Sequence, residues 1–139
     1  MATILRPLSP SAPRLWTGRV LSALPVLFLL FDAAIKLVKI QPVIDSMAQL
    51  GYPDIARGLG VLELICVALY VWPRTALLGA VLITGLLGGA IASHLRIGDP
   101  WLTHTLFSLY VAAPLWLGLV LRDERVRALL VPFAGRPTR

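Results

Sequence analysis

Long apolar stretches constrain this chain more than any other feature of its sequence. About four of them reach the roughly 20 residues that a helix needs to cross a bilayer. Of the 139 residues, 58% are hydrophobic and 14% are charged, whereas a soluble domain is about half apolar and a quarter charged. The composition argues against an ordinary soluble domain, and the high hydrophobicity argues against a disordered chain.

The order of these stretches predicts an all-α fold, a four-transmembrane-helix antiparallel bundle. The short links between the second and third helices, and between the third and fourth, make these neighbours antiparallel. Residues 1–18 are expected to be a flexible N-terminal cytoplasmic tail, residues 19–121 the transmembrane domain and residues 122–139 a basic cytoplasmic tail, with a short interfacial segment at residues 126–133. The helices are expected at about residues 19–40, 54–72, 75–95 and 100–121.

A short amphipathic helix is predicted between the first and second membrane helices, over residues 41–50. Pro42 suits its first turn and Gly51 its C-terminal stop. Asp45, Ser46 and Gln49 lie opposite the apolar face. Such a helix is expected to lie at the membrane surface. Its apolar face is predicted to contain Val43, Ile44, Met47 and Leu50.

The basic residues predict the orientation of the chain. The net charge is +6, and basic residues collect on the cytoplasmic side of membrane proteins. The side that holds both termini and the Pro73-Arg74 turn has the larger excess of arginine, which predicts that both termini are cytoplasmic. Since no basic tract with interleaved aromatic residues lies outside the apolar segments, nucleic acid is not expected as a partner.

A few ionisable side chains fall inside the apolar segments. Such groups are costly in a bilayer and are functional candidates by default. Counting about 1.5 Å per residue places all of them in the outer half of the bundle. The cytoplasmic half is expected to be almost purely apolar apart from its flanks. The residues concerned are Asp32, Lys36, Glu63, His94 and His104.

Each of the acidic candidates has two interpretations. Asp32 and Lys36 are four residues apart on one helix face, so they form either an internal ion pair or part of a cavity wall together with Glu63. Glu63 has no charged partner in its own apolar run. It is either a structural group, bonded to Lys36 or Arg96 or protonated within the bundle, or a carboxylate that binds a ligand or accepts a proton.

The two histidines flank the loop between the third and fourth helices. His94 and His104 could ligate a metal or haem, hydrogen-bond a quinone, or make interfacial hydrogen bonds. Two residues are too few to identify a metal site, so no metal is predicted and haem is disfavoured as a cofactor. Arg96 and Asp99 fit the role of loop charges, with Asp99 as the N-cap of the fourth helix.

Small residues recur every four positions on the third helix, at Gly85, Gly89 and Ser93. This stripe predicts close helix packing, either within the chain or against another protein. The single cysteine, Cys66, cannot form an internal disulfide or a dithiol pair, and it fits the role of a small buried apolar residue.

Short motifs in a fixed order resemble those of the DoxX-like family of small four-helix membrane proteins, over about residues 20–121. The resemblance implies a bacterial integral membrane protein of the inner membrane, and it points to Lys36, Glu63, His94 and Arg96. The wider group takes its name from a subunit of a quinol oxidase and thiosulfate:quinone oxidoreductase system, which implies a redox association but no reaction. The motifs are Lys36, Met47-x-x-Leu50-Gly51-Tyr52-Pro53, Leu59-Gly60-x-x-Glu63, Pro73-Arg74, Gly79, Gly85 and His94-x-Arg96-x-Gly98-Asp99-Pro100.

Two functions remain open on this evidence. The first is an accessory or ligand-binding subunit of a larger respiratory or photosynthetic membrane complex, with the lipid bilayer and membrane proteins or further copies of the chain as partners. The second is an oxidoreductase-type enzyme that acts on a quinone or another lipophilic molecule, and either function makes a quinone or a lipid the candidate ligand. A transporter is disfavoured, because the polar groups occupy one half and no inverted repeat is visible.

Overall fold

The computed structural model describes residues 11–130, and 85% of these residues are helical. No strand occurs among them. The expected all-α fold is therefore confirmed. The helices are α1 (Ala12–Val38), α2 (Gln41–Gln49), α3 (Ala56–Val71), α4 (Ala76–Ile97), a π-helical turn (Trp101–Thr105), α5 (Phe107–Arg122) and α6 (Glu124–Leu130).

Three helical segments are long and apolar enough to cross a membrane. They are α1, α4 and the continuous stretch Trp101–Arg122, with mean hydropathies of 2.0, 2.0 and 1.6. The chain is thus a small membrane protein. The apolar helix α3 has 16 residues, or about 24 Å at 1.5 Å per residue, which is shorter than a full hydrocarbon core. A four-helix transmembrane bundle remains a prediction.

The first helix begins earlier than the sequence predicted. It starts at Ala12 instead of near residue 19, so residues 12–18 of the expected flexible tail are helical. Pro13 occupies the first turn, where a missing N–H group costs nothing, and the N–H of Leu15 bonds to the Ser11 carbonyl at 3.1 Å. The other predicted tail residues, 1–10 and 131–139, lie outside the described residues.

The C-terminal tail is also helical where it is described. The Asp123 carboxylate accepts hydrogen bonds from the backbone N–H groups of Arg125 and Val126, at 2.9 and 3.4 Å, and so caps the start of α6. Val126 is buried against the main core. An ion pair of 3.2 Å between Arg14 and Glu124 holds α6 beside the start of α1.

Four helices surround the main apolar core. Helix α1 packs against α3 and α5, and α4 packs against the same two helices. Ser22 in the early part of α1 meets Tyr70 near the end of α3, whereas Lys36 in the late part meets Glu63. The largest fully buried side chains of this core are Tyr70, Ile83, Leu115, Leu119 and Cys66.

A helix forms where the interfacial helix was predicted, and part of its predicted apolar face packs against the rest of the chain. Val43, Met47 and Leu50 are buried with Ala56, whereas Ile44 is 37% exposed. The helix ends in a turn at Gly51, whose φ of 82° favours glycine.

The closest backbone contacts occur at glycines other than the predicted stripe. A β-carbon at Gly79 would overlap the backbone of Tyr70, and one at Gly118 would crowd Ser22. At Gly85 and Gly89, in contrast, no described atom lies within 4 Å of the position a β-carbon would take. Spacing therefore identified a common face on α4 but not what lies opposite, and within the described chain that face is open.

The end of the helices that holds the chain termini was expected to be almost purely apolar, but it contains a buried polar cluster. The Tyr70 hydroxyl donates to the Leu115 carbonyl at 2.7 Å and lies 3.0 Å from the Ser22 hydroxyl. Arg122 donates to the Tyr70 carbonyl at 3.0 Å, with its guanidinium 4.7 Å from the centre of that ring. We call this end, with Arg14, Arg19 and Arg122, the arginine end.

Candidate functional site

A cavity of about 600 Å³ lies at the opposite end of the helices, which we call the pocket end. Its volume falls in the range of about 300–1,000 Å³ that is typical of small-molecule sites. Helices α1 to α5 all contribute residues to its wall. Most of the lining is apolar, with Phe28, Leu29, Met47, Leu50, Ile55, Leu59, Leu62, Leu82, Ile83, Leu86, Leu87, Ala90 and Phe107.

A three-residue ionic cluster forms the polar wall of this cavity. The Nζ of Lys36 lies 2.5 Å from Oδ2 of Asp32 and 3.0 Å from Oε2 of Glu63. Glu63 is 5% exposed, and Asp32 and Lys36 are half-buried. The three side chains pair with one another and also line the cavity. The ion-pair interpretation and the cavity-wall interpretation are therefore compatible.

The local sequence explains how the cluster assembles. Asp32 and Lys36 share one face of α1 because they are four residues apart. Gly60, one turn before Glu63, faces α1, and a β-carbon there would stand 3.0 Å from the Ala33 carbonyl. This glycine lets α3 approach α1 closely enough for the short carboxylate side chain of Glu63 to reach Lys36.

The charges of the cluster do not balance. Two carboxylates face a single ammonium group, so the ionised cluster holds one negative charge in excess. Excess charge is costly in an apolar environment unless it gains a proton or a polar partner. The cluster can therefore accept one more proton, cation or hydrogen-bond donor from the cavity.

The two histidines line the cavity near its α4–α5 connection. Nδ1 of His94 lies 2.6 Å from Oδ2 of Asp99, and the His94 and His104 rings are 5.5 Å apart between centroids. A carboxylate on Nδ1 fixes the ring orientation and leaves Nε2 for another partner. His104 belongs to the π-helical turn, where its Nδ1 lies 2.8 Å from the Thr103 hydroxyl.

Asp99 has a different role from the helix cap that was predicted. The start of the π-helical turn has no side-chain cap, and Pro100 occupies the N-cap position. Gly98, with a φ of 76°, turns the chain back after α4, and the Asp99 N–H bonds to the His94 carbonyl at 3.1 Å. This reversal brings the Asp99 carboxylate to His94, which a linear reading of the loop could not foresee.

Arg96 is placed differently from the other candidate residues. It does not belong to the cavity lining; its guanidinium donates to the Leu50 carbonyl and lies 5.8 Å from the centre of the Tyr52 ring. Arg96 therefore ties the end of α4 to the α2–α3 connection. Tyr52 and Leu50 both line the cavity, so Arg96 contacts two lining residues without lining the cavity itself.

Several lining residues were missed as site residues. Ser108 is 4% exposed and contributes a hydroxyl group to the wall. Cys66 lies one turn after Glu63 on α3, which puts the thiol on the same face. Gly85, Gly89 and Ser93 belong to the α4 part of the wall, and the absence of side chains at the two glycines leaves space in the cavity.

The ionisable side chains of the cavity are not arranged as in a metal centre. In residues 11–130, no group of three or more His, Cys, Asp or Glu side chains converges in a way that could hold a metal ion. The donors instead form two pairs or clusters, one around Lys36 and one around His94, and both face a largely apolar space.

Comparison with known families identifies the chain. The model of the DoxX-like family matches residues 20–118, well over half of the sequence. The chain therefore belongs to the DoxX-like family, as the motifs indicated. Comparisons with curated proteins and with solved structures give no significant match.

Proposed function

We propose that this DoxX-like membrane protein binds a lipophilic small molecule with a polar head group, of the quinone class, in the cavity at the pocket end. It would do so as a ligand-binding or accessory subunit of a larger bacterial membrane complex, respiratory or photosynthetic. The observation that carries this proposal is the cavity of about 600 Å³ in which an apolar wall surrounds the Asp32–Lys36–Glu63 cluster. A ring with carbonyl or hydroxyl groups matches both parts of this lining.

The polar groups support hydrogen bonding to such a head group. A carbonyl oxygen would accept from the Lys36 ammonium, and a hydroxyl group would donate to the carboxylate of Glu63 or Asp32. On the histidine side, Asp99 holds His94 at Nδ1, which leaves Nε2 to bond to a second oxygen. The flat open face at Gly85 and Gly89 gives room for a planar ring.

The proposal includes the membrane orientation. We place the arginine end in the cytoplasm and the pocket end toward the outer side of the bacterial inner membrane, with α1, α3, α4 and α5 crossing as an antiparallel bundle and both termini inside. Support comes from the arginine excess at one end, since basic residues collect on the cytoplasmic side. A membrane-impermeant thiol reagent should then modify an Arg57→Cys variant, but not an Arg74→Cys variant, in intact cells.

The ligand hypothesis is tested by filling the cavity without disturbing the fold. Gly85→Leu puts a side chain into the cavity, and no described atom lies within 4 Å of its first carbon. Gly88→Leu makes the same change on the same helix at a position that is equally free but does not line the cavity. We expect Gly85→Leu to lower binding of decylubiquinone at least tenfold, and Gly88→Leu to leave it unchanged.

The measurement is a titration of purified protein in mild detergent, with mass spectrometry of molecules extracted from the untreated preparation. Equal binding by the two glycine variants, with both folded, would remove the cavity as the site. An extract that contains a lipophilic molecule other than a quinone, released by Gly85→Leu alone, would keep the site and correct the ligand class.

An oxidoreductase-type enzyme is the second candidate, and the spare carboxylate of the ionic cluster favours it. Proton exchange with a bound quinone needs a group that can hold and release a proton next to the head group. Glu63→Gln keeps the shape and removes that capacity. In the isolated membrane complex, turnover lost with decylubiquinone binding retained would indicate catalysis, whereas unchanged turnover would indicate an accessory role. Native mass spectrometry of the complex identifies the partner subunits in the same preparation.

A further inference from the structure

We propose a second binding site, at the arginine end, for one anionic phospholipid. A groove of about 230 Å³ lies there between α1, α3 and the end of α5. It is separate from the cavity at the pocket end, with which it shares no lining residue. Its lining consists of Arg19, Ser22, Ala23, Val26, Tyr70, Val71 and Arg122.

The groove has a charged head and an apolar tail. The α1 residues Arg19, Ser22, Ala23 and Val26 are spaced three, four and seven apart, so they lie on one helix face. Arg19 and Val26 are separated by about 10 Å at 1.5 Å per residue. A phospholipid that lies along this face would meet cationic groups first and aliphatic groups further along, which is the order of its own head group and acyl chain.

Both guanidinium groups of the groove lack an acidic partner in residues 11–130. The salt bridges of that region include neither Arg19 nor Arg122. The nearby acids are already engaged, because Glu124 pairs with Arg14 and Asp123 caps α6. No acid of the described residues complements this pair of arginines, and phosphate is one of the anions whose geometry matches the paired donors of a guanidinium.

The hydrogen-bonding capacity of Arg122 is not fully used within the described residues. Nε of Arg122 is buried and has no hydrogen-bond partner among the described residues, although another nitrogen of the same guanidinium donates to the Tyr70 carbonyl. Buried polar groups in folded proteins are almost always paired. Nε itself is closed off from the groove, so a phosphate there would bond to the other nitrogens of this guanidinium.

The surroundings match the position of a lipid head group. Trp16 is 65% exposed, and the Arg19 guanidinium lies 5.9 Å from the centre of its ring. Trp72 is also largely exposed, next to Val71 at the end of α3. Tryptophan is enriched at the level of the head groups, and basic pockets between membrane helices bind anionic lipids. The groove is thus at the depth at which a phosphodiester lies.

The test compares lipids and arginine variants by native mass spectrometry of the delipidated full chain. We expect the wild-type protein to retain one phosphatidylglycerol in preference to phosphatidylcholine. Arg19→Gln should weaken this binding about fivefold, from the usual contribution of one basic residue near an anionic surface. Arg125→Gln is the matched control, because Arg125 is exposed at the same end and does not line the groove. Arg19 is preferred to Arg122, whose loss would also remove the bond to Tyr70.

A second variant separates a lipid from a free anion. Ala23→Trp blocks the apolar part of the groove without changing its charge, and it should abolish phosphatidylglycerol binding while Arg19 remains. Competition by inorganic phosphate as effective as that by the lipid would overturn the lipid assignment, as would equal effects of Arg19→Gln and Arg125→Gln. Gly85→Leu should leave the lipid bound, so the outcome does not depend on the quinone hypothesis.

Discussion

The two ends of the helix assembly bury polar side chains in opposite ways. At the pocket end, an ionic cluster of two carboxylates and one ammonium group borders an open cavity, and its groups bond mainly to one another. At the arginine end, Tyr70 and Arg122 bond to backbone carbonyls where helices pack closely, beside the smaller groove. Polar groups that bond to backbone hold a fold together, whereas polar groups that face open space are available to a ligand.

The difference in packing follows from where the glycines lie. Gly79 and Gly118 stand where backbones touch, so each allows two helices to meet. Gly85 and Gly89 stand where no described atom approaches, so each enlarges the cavity. The same residue type therefore closes one end and opens the other.

The largest effect is expected for Lys36→Met, which leaves two carboxylates facing each other without their shared cation. Breaking a buried ion pair by removing one partner costs about 3 kcal/mol or more. We expect a loss of about 3 kcal/mol in unfolding free energy, measured by thermal or denaturant unfolding in mild detergent. The double variant Lys36→Met/Glu63→Gln should recover part of this loss.

Lys39→Gln is the matched control for that experiment. Lys39 follows α1 directly and makes no salt bridge within the described residues, so its replacement should change stability by less than about 0.5 kcal/mol. Equal losses for Lys36→Met and Lys39→Gln would show that the ionic cluster does not contribute to the fold.

Alanine substitutions at two glycines test the difference in packing. We expect smaller changes in stability than for Lys36→Met, and changes of opposite sign at the two positions. Gly79→Ala forces a methyl group against the Tyr70 backbone and should cost about 2 kcal/mol through overpacking. Gly88→Ala adds the same methyl group where nothing lies within 4 Å, and it should stabilise α4 by about 0.5–1 kcal/mol. Melting temperatures that move in the same direction would contradict the assignment of close packing to Gly79.

Much of this arrangement was predictable from the sequence. Apolar length and periodicity located the long helices to within a few residues, except for the start of α1 and the start of α5, which begins at Phe107 after the π-helical turn. Residue counting along ideal helices brought Asp32, Lys36, Glu63, His94 and His104 to one end, where all five line the cavity. These inferences succeeded because they depend on one helix at a time, or on the depth that each residue reaches.

The remaining features depend on what faces each side chain, which the sequence does not contain. The Asp99 carboxylate turned back to His94 because of the reversal at Gly98, and Arg96 reached the Leu50 carbonyl on another element. The stripe at Gly85 and Gly89 had the spacing of a packing motif, but no described atom lies within 4 Å of the position a β-carbon would take at either glycine. The Tyr70 cluster was missed because Ser22, Tyr70 and Arg122 are far apart in the chain, and none of them alone forms a sequence motif.

The smallest loss of stability is expected for Tyr70→Phe, which removes one hydroxyl group from the tightly packed arginine end and leaves the ring in place. The Leu115 carbonyl loses its donor, whereas the Ser22 hydroxyl, which lines the groove at this end, can bond to water instead. One lost buried hydrogen bond costs about 1 kcal/mol, so the unfolding free energy should fall by about that amount, measured in mild detergent. The matched control is Tyr110→Phe, since Tyr110 is 56% exposed and should be neutral. Because Tyr70 lies outside the cavity lining, Tyr70→Phe should leave decylubiquinone binding unchanged. A loss of that binding would mean that the two ends act as one coupled unit, and the contrast between a closed end and an open end would then fail.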